Sequence, residues 1–122
     1  MTADGQLDTP SEPDEALVSV KDNPRASRFE LRVNGVLVGY VTYRDVRSGR
    51  AFEHTVIAAE HQGMGLASQL IRSALDEARA AGREVLPFCP FVRSFIQQHP
   101  AYVDLVGQPR RFGLMVHTPD SR

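Results

Sequence analysis

A glycine-containing turn followed by an amphipathic segment decides the fold of this chain: residues 60–78 are EHQGMGLASQLIRSALDEA. Apolar residues recur there at steps of three and four, a spacing that predicts a helix of about four turns with one apolar face. The apolar positions are Leu66, Ala67, Leu70, Ile71, Ala74, Leu75 and Ala78. Gly82 is the expected C-terminal stop of this helix.

The turn before the helix is a candidate anion site. Gly63 and Gly65 let the backbone approach a ligand, and the free N–H groups at the start of the helix favour a negative charge. The same glycines also suit a plain strand-to-helix turn, so both interpretations stay open. A P-loop is excluded because no lysine follows either glycine. A dinucleotide fingerprint fails because Ser68 stands at its third glycine position and only one strand–helix–strand unit follows an antiparallel hairpin.

Short segments of β type surround the helix. Four precede the turn, at 17–21, 28–33, 36–43 and 51–58. Asn34-Gly35, between the second and the third, predicts a type I′ hairpin, because both central residues of that turn need positive φ. Residues 45–50 are expected to form a longer turn between the third and fourth strands.

A second strand–helix pair follows the long helix. We expect a short strand at 84–87 and a helix that begins at Pro90 and ends at His99-Pro100. The order β-β-β-β-α-β-α predicts an α+β fold in which an antiparallel meander is followed by helix, strand and helix. Residues 107–111 are expected to be a loop, and 112–116 either a last strand or a loosely packed segment.

Length and charge limit the class of protein. With 122 residues the chain has room for one domain. We expect it at 16–106, between a disordered acidic tail at 1–15 and a C-terminal extension at 107–122. The tail holds five acids and no Lys or Arg, which leaves 14 basic and 10 acidic side chains and a charge of +4 for the remainder. That charge favours an anionic ligand.

Composition also excludes several kinds of partner. No apolar run is long enough for a membrane span and no signal-peptide pattern opens the chain, so we expect a cytoplasmic protein. One cysteine allows no internal disulfide, and no cluster has the spacing of a metal site. The 13 arginines are scattered and Lys21 is the single lysine, which argues against nucleic acid. One apolar helix face suffices only for its own sheet, so a monomer is expected.

Three segments resemble one known family. Gln62-x-x-Gly65-x-Ala67 is similar to the pyrophosphate loop of the GNAT acetyltransferase superfamily, and the predicted order of elements resembles its fold. FEHT at 52–55, together with FCPFVRSFI at 88–96 and the following HPAY, looks like the minimal single-domain subfamily. The resemblance covers residues 16–106, and three segments in order are more specific than the loop alone.

This resemblance implies a site for acetyl-CoA as co-substrate. The amides of 63–67 would hold the pyrophosphate, and the fourth strand would bind the pantetheine arm as though it were a further strand. In this superfamily the fourth and fifth strands separate to admit that arm. Arg93 would reach a CoA phosphate or the acceptor, unless it lies on a solvated helix face. The expected cofactor-binding residues are Thr55, Val56, Ile57, Gln62, Gly63, Met64, Gly65, Leu66, Ala67 and Arg93.

Acetyl transfer to an amine needs a base for the amine and a proton for the leaving thiolate. Cys89 stands at a predicted helix N-terminus, where free amides favour a thiolate, and is either a catalytic group or a buried small hydrophobe. His54 can accept a proton near neutral pH. Strand alternation places Glu53 and His54 on opposite faces, so at most one of them faces the cleft. The resemblance, which includes His54 together with Cys89, favours His54.

Other aromatic and histidine side chains have simpler interpretations. We expect core packing for Phe88, Phe91 and Phe95 rather than a wall of the channel. We expect packing for Tyr102 rather than proton donation to the leaving sulfur. His61 and His99 are expected at the surface or as helix caps, and His117 is expected to have no role.

The predicted function is therefore that of an acyltransferase, with His54 as base and Cys89 as acyl acceptor or proton donor. It would bind acetyl-CoA through the glycine-containing loop and acetylate an amine, on a small molecule or a protein lysine. The alternative is a CoA-binding sensor or interaction module without turnover. No motif identifies the acceptor.

Overall fold

Hydrogen bonds between neighbouring strands build one five-stranded sheet in the computed structural model, which describes residues 17–115. The strands are β1 (Val18–Asn23), β2 (Arg28–Val33), β3 (Val36–Val46), β4 (Gly49–Ile57) and β5 (Val85–Pro87). The first four are antiparallel neighbours, and β5 runs parallel to β4. Helix α1 (Leu66–Ala80) lies between β4 and β5, and α2 (Pro90–Gln98) follows β5. The predicted α+β order is confirmed.

The turns between antiparallel strands show one correct prediction and one error. Asn34 and Gly35 have φ of 52° and 86°, which confirms the hairpin. The long turn predicted at 45–50 is wrong, because Asp45 and Arg50 face each other across β3 and β4. The Arg50 guanidinium donates to both carboxylate oxygens of Asp45, at 2.7 and 3.0 Å. This pair holds the two strands together almost to the turn.

Both helices pack against each other and onto one face of the sheet. The apolar face of α1 is buried as predicted, apart from half-buried Ala67 at its start; the buried residues are Leu66, Leu70, Ile71, Ala74, Leu75 and Ala78. They form one cluster with Val41 and Phe52 of the sheet and with Val92 and Ile96 of α2. Removing these side chains from water supplies the main driving force for folding.

The opposite face of the sheet carries a network of charged side chains. Glu30 is only 7% exposed. Its carboxylate accepts hydrogen bonds from Asn23 Nδ2 at 3.0 Å, Arg28 Nε at 2.8 Å and Arg32 Nη2 at 2.9 Å. The Arg28 guanidinium also lies 4.4 Å from the centre of the Tyr40 ring. The hydrogen bond from Asn23, followed by that from Arg28, holds the pKa of Glu30 below its usual 4.5.

The segment after α2 is partly helical. Two 3₁₀ helices span Pro100–Leu105 and Pro109–Phe112. The second occupies most of the predicted loop. The strand or loose segment predicted at 112–116 is wrong for its described part, because Gly113 ends that 3₁₀ helix with φ of 75° and Leu114 is buried in the core.

The predicted acidic tail and His117 lie outside the described residues. Between residues 17 and 115, no helix combines the length and apolar character needed to cross a membrane. Over the same stretch, no group of His, Cys, Asp and Glu side chains is arranged to hold a metal ion.

Buried Glu30 makes the stability of the sheet sensitive to acid. Because its folded-state pKa lies below 4.5, its contribution is present above that pH and is lost as the pH falls through the folded value. We expect Glu30→Gln to be less stable than the parent at neutral pH. We also expect it to lose less of its remaining stability between about pH 6 and about pH 3. Urea unfolding across this range measures both effects.

Glu60→Gln is the control, since Glu60 is exposed in the 3₁₀ turn after β4. The stability of Glu60→Gln should equal that of the parent at every pH. An equal loss on acidification in Glu30→Gln and the parent would contradict the assignment.

Candidate active site

The parallel strand β5 pairs with β4 only as far as Phe52. The chain then turns away, and the N–H of Cys89 donates to the carbonyl of Phe52 at 2.9 Å. Pro87 and Pro90 lack an N–H and cannot extend the ladder. Among the described strands none lies beside 53–57 on this side of β4. The open edge agrees with the separation of strands that the family resemblance implies.

Alternate residues of β4 present their backbone groups to this open edge. The N–H of Ala58 donates to the carbonyl of Val38 in β3 at 2.8 Å. Because backbone groups alternate in direction along a strand, Val56 also points to β3, whereas Thr55 and Ile57 point to the open edge. The backbone of Val56 is therefore committed to the ladder with β3, although the residue lines the edge cavity described below, and its part in cofactor binding stays a prediction.

The loop after β4 takes its shape from two glycines. Gly63 and Gly65 have φ of 80° and 76°, in the left-handed region that favours glycine. A Cβ added at either position would meet nothing within 4 Å, so φ rather than crowding requires glycine there. The Gln62 side chain donates from Nε2 to the carbonyl of Ile57 at 3.0 Å. This bond fastens the start of the loop to β4.

Helix α1 begins with unsatisfied donors. Gly65 is its N-cap residue and no side chain caps it by a hydrogen bond. The N–H groups of Leu66, Ala67 and Ser68 therefore lack an acceptor within the helix. No acidic residue stands in the first turn. This end of the helix is suited to a bound anion.

A cavity of about 390 Å³, here called the loop cavity, lies between this loop, the open edge of β4 and α2. It is lined by Thr55, Ile57, His61, Gln62, Gly63, Gly65, Ala67, Ser68 and Phe91. Met64 and Leu66 do not line this cavity: the Leu66 side chain is in the core and that of Met64 is 60% exposed. Ser68 was missed by sequence analysis, although its position directly after the motif, on the first turn of α1, could have indicated it.

A second cavity of about 480 Å³, here called the edge cavity, adjoins the same part of β4. Its lining residues are Tyr40, Thr42, Glu53, His54, Thr55, Val56, Cys89, Pro90 and Phe91. Thr55 and Phe91 line both cavities and form the boundary between them. The structure thus brings the two predicted catalytic residues, His54 and Cys89, to one cavity.

An irregularity in β4 places both Glu53 and His54 at the edge cavity. His54 pairs with Thr42 and Phe52 pairs with Tyr43, so Glu53 is an extra residue on β4, as in a β-bulge. Strict alternation is interrupted there. The prediction that at most one of the two would face the cleft is therefore wrong.

Cys89 is the N-cap residue of α2, with an extended backbone, and is 3% exposed. Its sulfur lies 3.2 Å from the hydroxyl oxygen of Thr55. Thr55 pairs with buried Val41 on the face that the helices cover, whereas the neighbouring His54 projects to the other face. The two predicted catalytic groups approach the edge cavity from different sides, and no hydrogen bond within residues 17–115 joins them.

The Arg93 guanidinium binds backbone carbonyls in this structure, and its contact with a phosphate or the acceptor stays a prediction. Its Nη1 donates to the carbonyls of Pro87 at 3.1 Å and Phe88 at 2.8 Å. These carbonyls lie where the strand ladder has ended, so they need another donor. Arg93 therefore braces the turn that carries Cys89.

Three aromatic residues of α2 and its entry differ in their environments. Phe95 is buried in the core as predicted, but Phe88 and Phe91 are exposed, so core packing is wrong for them.

The hydroxyl of Tyr102 donates to Asp76 Oδ1 at 2.8 Å. Burial, followed by this hydrogen bond, raises the pKa of Tyr102. Its predicted structural role is confirmed, because this contact lies on α1, outside both cavities.

The two histidines near the helix ends also differ. His99 Nδ1 lies 2.9 Å from the carbonyl of Phe95, which confirms the predicted capping role. His61 instead lines the loop cavity and is only partly exposed. Its Nδ1 is buried without a hydrogen-bond partner among the described residues.

Comparison with protein families gives a match over most of the sheet and both helices. Residues 28–105 match the family described as GCN5-related N-acetyl-transferase. An L-amino acid N-acyltransferase, MnaT, of Escherichia coli K12 is 41% identical over 58 residues, covering 43% of this chain and 34% of that protein. An L-methionine sulfoximine/L-methionine sulfone acetyltransferase of Salmonella typhimurium LT2 is 40% identical over the same length. The aligned part is about a third of the length of each relative.

Solved structures give weaker similarities. A ribosomal-protein-alanine N-acetyltransferase from Brucella melitensis biovar Abortus 2308 has a TM-score of 0.46 and 27% identity, covering 49% of this chain and 45% of that one. A GNAT family acetyltransferase from Brucella melitensis, in complex with acetyl-CoA, has a TM-score of 0.48 and 18% identity. It covers 74% of this chain and 55% of that one.

Because the backbone at Gly65 is left-handed, the loss in free energy of unfolding should depend on how well the substituted residue tolerates that conformation. We expect Gly65→Ala to lower the free energy of unfolding by about 1 kcal/mol, because alanine is strained at this φ. Gly65→Asn should cost less, since asparagine tolerates the left-handed region. Urea unfolding measures both. Equal costs would show that conformation is not the reason for glycine here.

Proposed function

We propose that this chain, which belongs to the GCN5-related N-acetyltransferase family, binds acetyl-CoA and transfers the acetyl group to a primary amine. The observation that carries the proposal is the loop cavity, where an uncapped helix N-terminus faces the open edge of a strand. Such a site combines donors for a phosphate group with a strand edge for an extended amide-bearing chain.

The proposed pyrophosphate site is the Gln62-x-x-Gly65-x-Ala67 loop. Backbone N–H groups of 63–67, together with the positive end of the α1 dipole, are suited to a diphosphate. Gln62 fixes the loop through its bond to Ile57. None of the residues that line the cavity is a Lys or Arg, so the backbone would supply most of the attraction.

The proposed pantetheine site is the open edge of β4. Thr55 and Ile57 direct their backbone groups there, and the pantetheine amides can pair with them as a neighbouring strand would. Phe91 supplies an apolar wall. When bound, the co-substrate would contribute an activated thioester, whose acyl end is proposed to lie near the boundary formed by Thr55 and Phe91.

The edge cavity is the proposed place of acetyl transfer. His54 would accept a proton from the ammonium group of the acceptor, which yields the neutral amine that attacks the thioester, and Glu53, paired with Arg44 at 3.0 Å, would lie beside it. Cys89 has two chemically complete roles. It can form a thioester with the acetyl group, which releases the CoA thiolate, and then pass the acetyl group to the amine with its own thiolate as the leaving group. Or it can donate its proton to the CoA thiolate during direct transfer to the amine.

The relatives suggest the first acceptors to test. Both are named for amino acids or amino-acid analogues, which carry a primary amine beside a carboxylate. We propose amino acids and short peptides as the starting panel, with protein lysines as the next class.

A negative charge added inside the loop cavity should affect CoA binding and protein stability in opposite directions. We expect Ser68→Asp to weaken CoA binding at least about tenfold, because its carboxylate would face the diphosphate. The helix itself should be as stable or more stable, since an acid in the first turn favours the helix dipole. Calorimetry with CoA and thermal unfolding measure the two effects.

Gln69→Glu is the matched control for Ser68→Asp. It adds the same charge one residue along, on an exposed position that does not line the cavity. It should retain CoA binding within about threefold. Equal weakening in both variants, or none in Ser68→Asp, would contradict the proposed site.

Turnover and intact mass test the catalytic assignment. We expect Cys89→Ala and His54→Ala each to slow CoA release with an amine acceptor by about 100-fold. Ser94→Ala, on the exposed side of α2, should leave the rate unchanged. A hydroxylamine-labile gain of one acetyl group on the parent protein would identify Cys89 as the acyl acceptor, and its absence with normal turnover would identify direct transfer.

Unchanged rates in both variants would remove the assignment. CoA binding without turnover on any acceptor would instead identify a CoA-binding module.

A further inference from the structure

We propose that Thr55 is a positioning residue for Cys89: its hydroxyl donates a hydrogen bond to the Cys89 sulfur and holds it at the boundary of the two cavities. This inference rests on the proposed function, which gives Cys89 a part in acyl transfer. It adds a side-chain role to a residue whose expected contribution was its backbone alone.

The contact joins two side chains whose backbones are already fixed. The N–H of Cys89 is bound to the carbonyl of Phe52 at 2.9 Å, and the carbonyl of Cys89 accepts from the N–H of Arg93 at 3.0 Å. Thr55 is held in β4 opposite Val41, and its branched side chain is stiff about χ1. With its backbone fixed, the Cys89 side chain can still rotate about χ1. A hydrogen bond over the 3.2 Å between Thr55 Oγ1 and Cys89 Sγ restricts that rotation.

Either atom of this contact can donate when Cys89 is a thiol, but the form that attacks a thioester is the thiolate. A thiolate has no proton and can only accept, so the hydroxyl must donate to it. A donor to the charged form favours that form. Within residues 17–115, Thr55 is the side chain that forms a hydrogen bond with this sulfur.

Other titratable and charged groups surround the same position. Glu53 and His54 come from β4, and Tyr40 comes from β3. Arg93 comes from α2, with its Nη1 committed to backbone carbonyls. None of these groups changes when Thr55 is replaced, so a Thr55 series isolates the effect of the hydroxyl.

The test is the rate at which iodoacetamide alkylates Cys89 as a function of pH, in the full chain and without acetyl-CoA. Cys89 is the one cysteine of the chain, so the mass gain reports this residue alone. We expect Thr55→Val to react about tenfold more slowly than the parent near neutral pH, the effect of one hydrogen bond to a charged group. The difference should narrow as the pH rises, because the hydroxyl matters less once both variants are ionised. Thr55→Ser should react at the parent rate.

Three outcomes would overturn the proposal. These are an unchanged rate in Thr55→Val, an equally slow rate in Thr55→Ser, or a slow rate in Thr55→Val at every pH, which would indicate altered access. Circular dichroism establishes that each variant is folded. If the valine variant is not, Thr55→Ala takes its place, and a parent rate in that variant overturns the proposal. Failure of the parent to bind CoA would refute the proposed function and leave this comparison valid, because the alkylation uses no CoA.

Discussion

The hydrogen bond from the Cys89 N–H to the carbonyl of Phe52 marks the point where β4 and β5 part, and the site depends on that parting. A parallel strand that continued alongside β4 would satisfy its edge and close the cleft. Pro87 and Pro90 prevent this, because neither can donate to a ladder. Arg93 then supplies donors to the carbonyls left at the end of β5, so the turn is stable without a neighbouring strand.

Because of the extra residue in β4, side chains on both faces of the sheet lie beside this open edge. In a regular strand, alternate side chains would leave only one of Glu53 and His54 beside the cleft. With Glu53 inserted, Phe52 and Thr55 both face the helices although they are three positions apart, and Glu53 and His54 both reach the edge cavity. The result is a boundary at Thr55 and Phe91, with a predicted catalytic group on each side of β4.

Charged side chains form ion pairs within the fold, whereas the proposed anion site is built from backbone groups. Several arginines form ion pairs, such as Arg50 with Asp45 and Arg44 with Glu53, and the loop cavity is lined by no Lys or Arg. The charge of +4 on the chain without its acidic tail favoured an anionic ligand. The feature that suits such a ligand is instead the uncapped start of α1, whose donors are backbone groups held in place by the left-handed Gly65.

Local chemistry in the sequence determined the hairpin, the long helix with its buried face, the loop before it and the start of α2 at Pro90. Each of these depends on residues within a few positions of one another, through turn geometry, helical periodicity or the missing N–H of proline. The tertiary structure decided where the alternation of β4 is broken, which carbonyls Arg93 satisfies, that Phe91 faces the cleft rather than the core, and that Thr55 meets Cys89. These depend on partners far apart in the chain, which periodicity does not encode, because a side chain's neighbour across a sheet is set by register and packing.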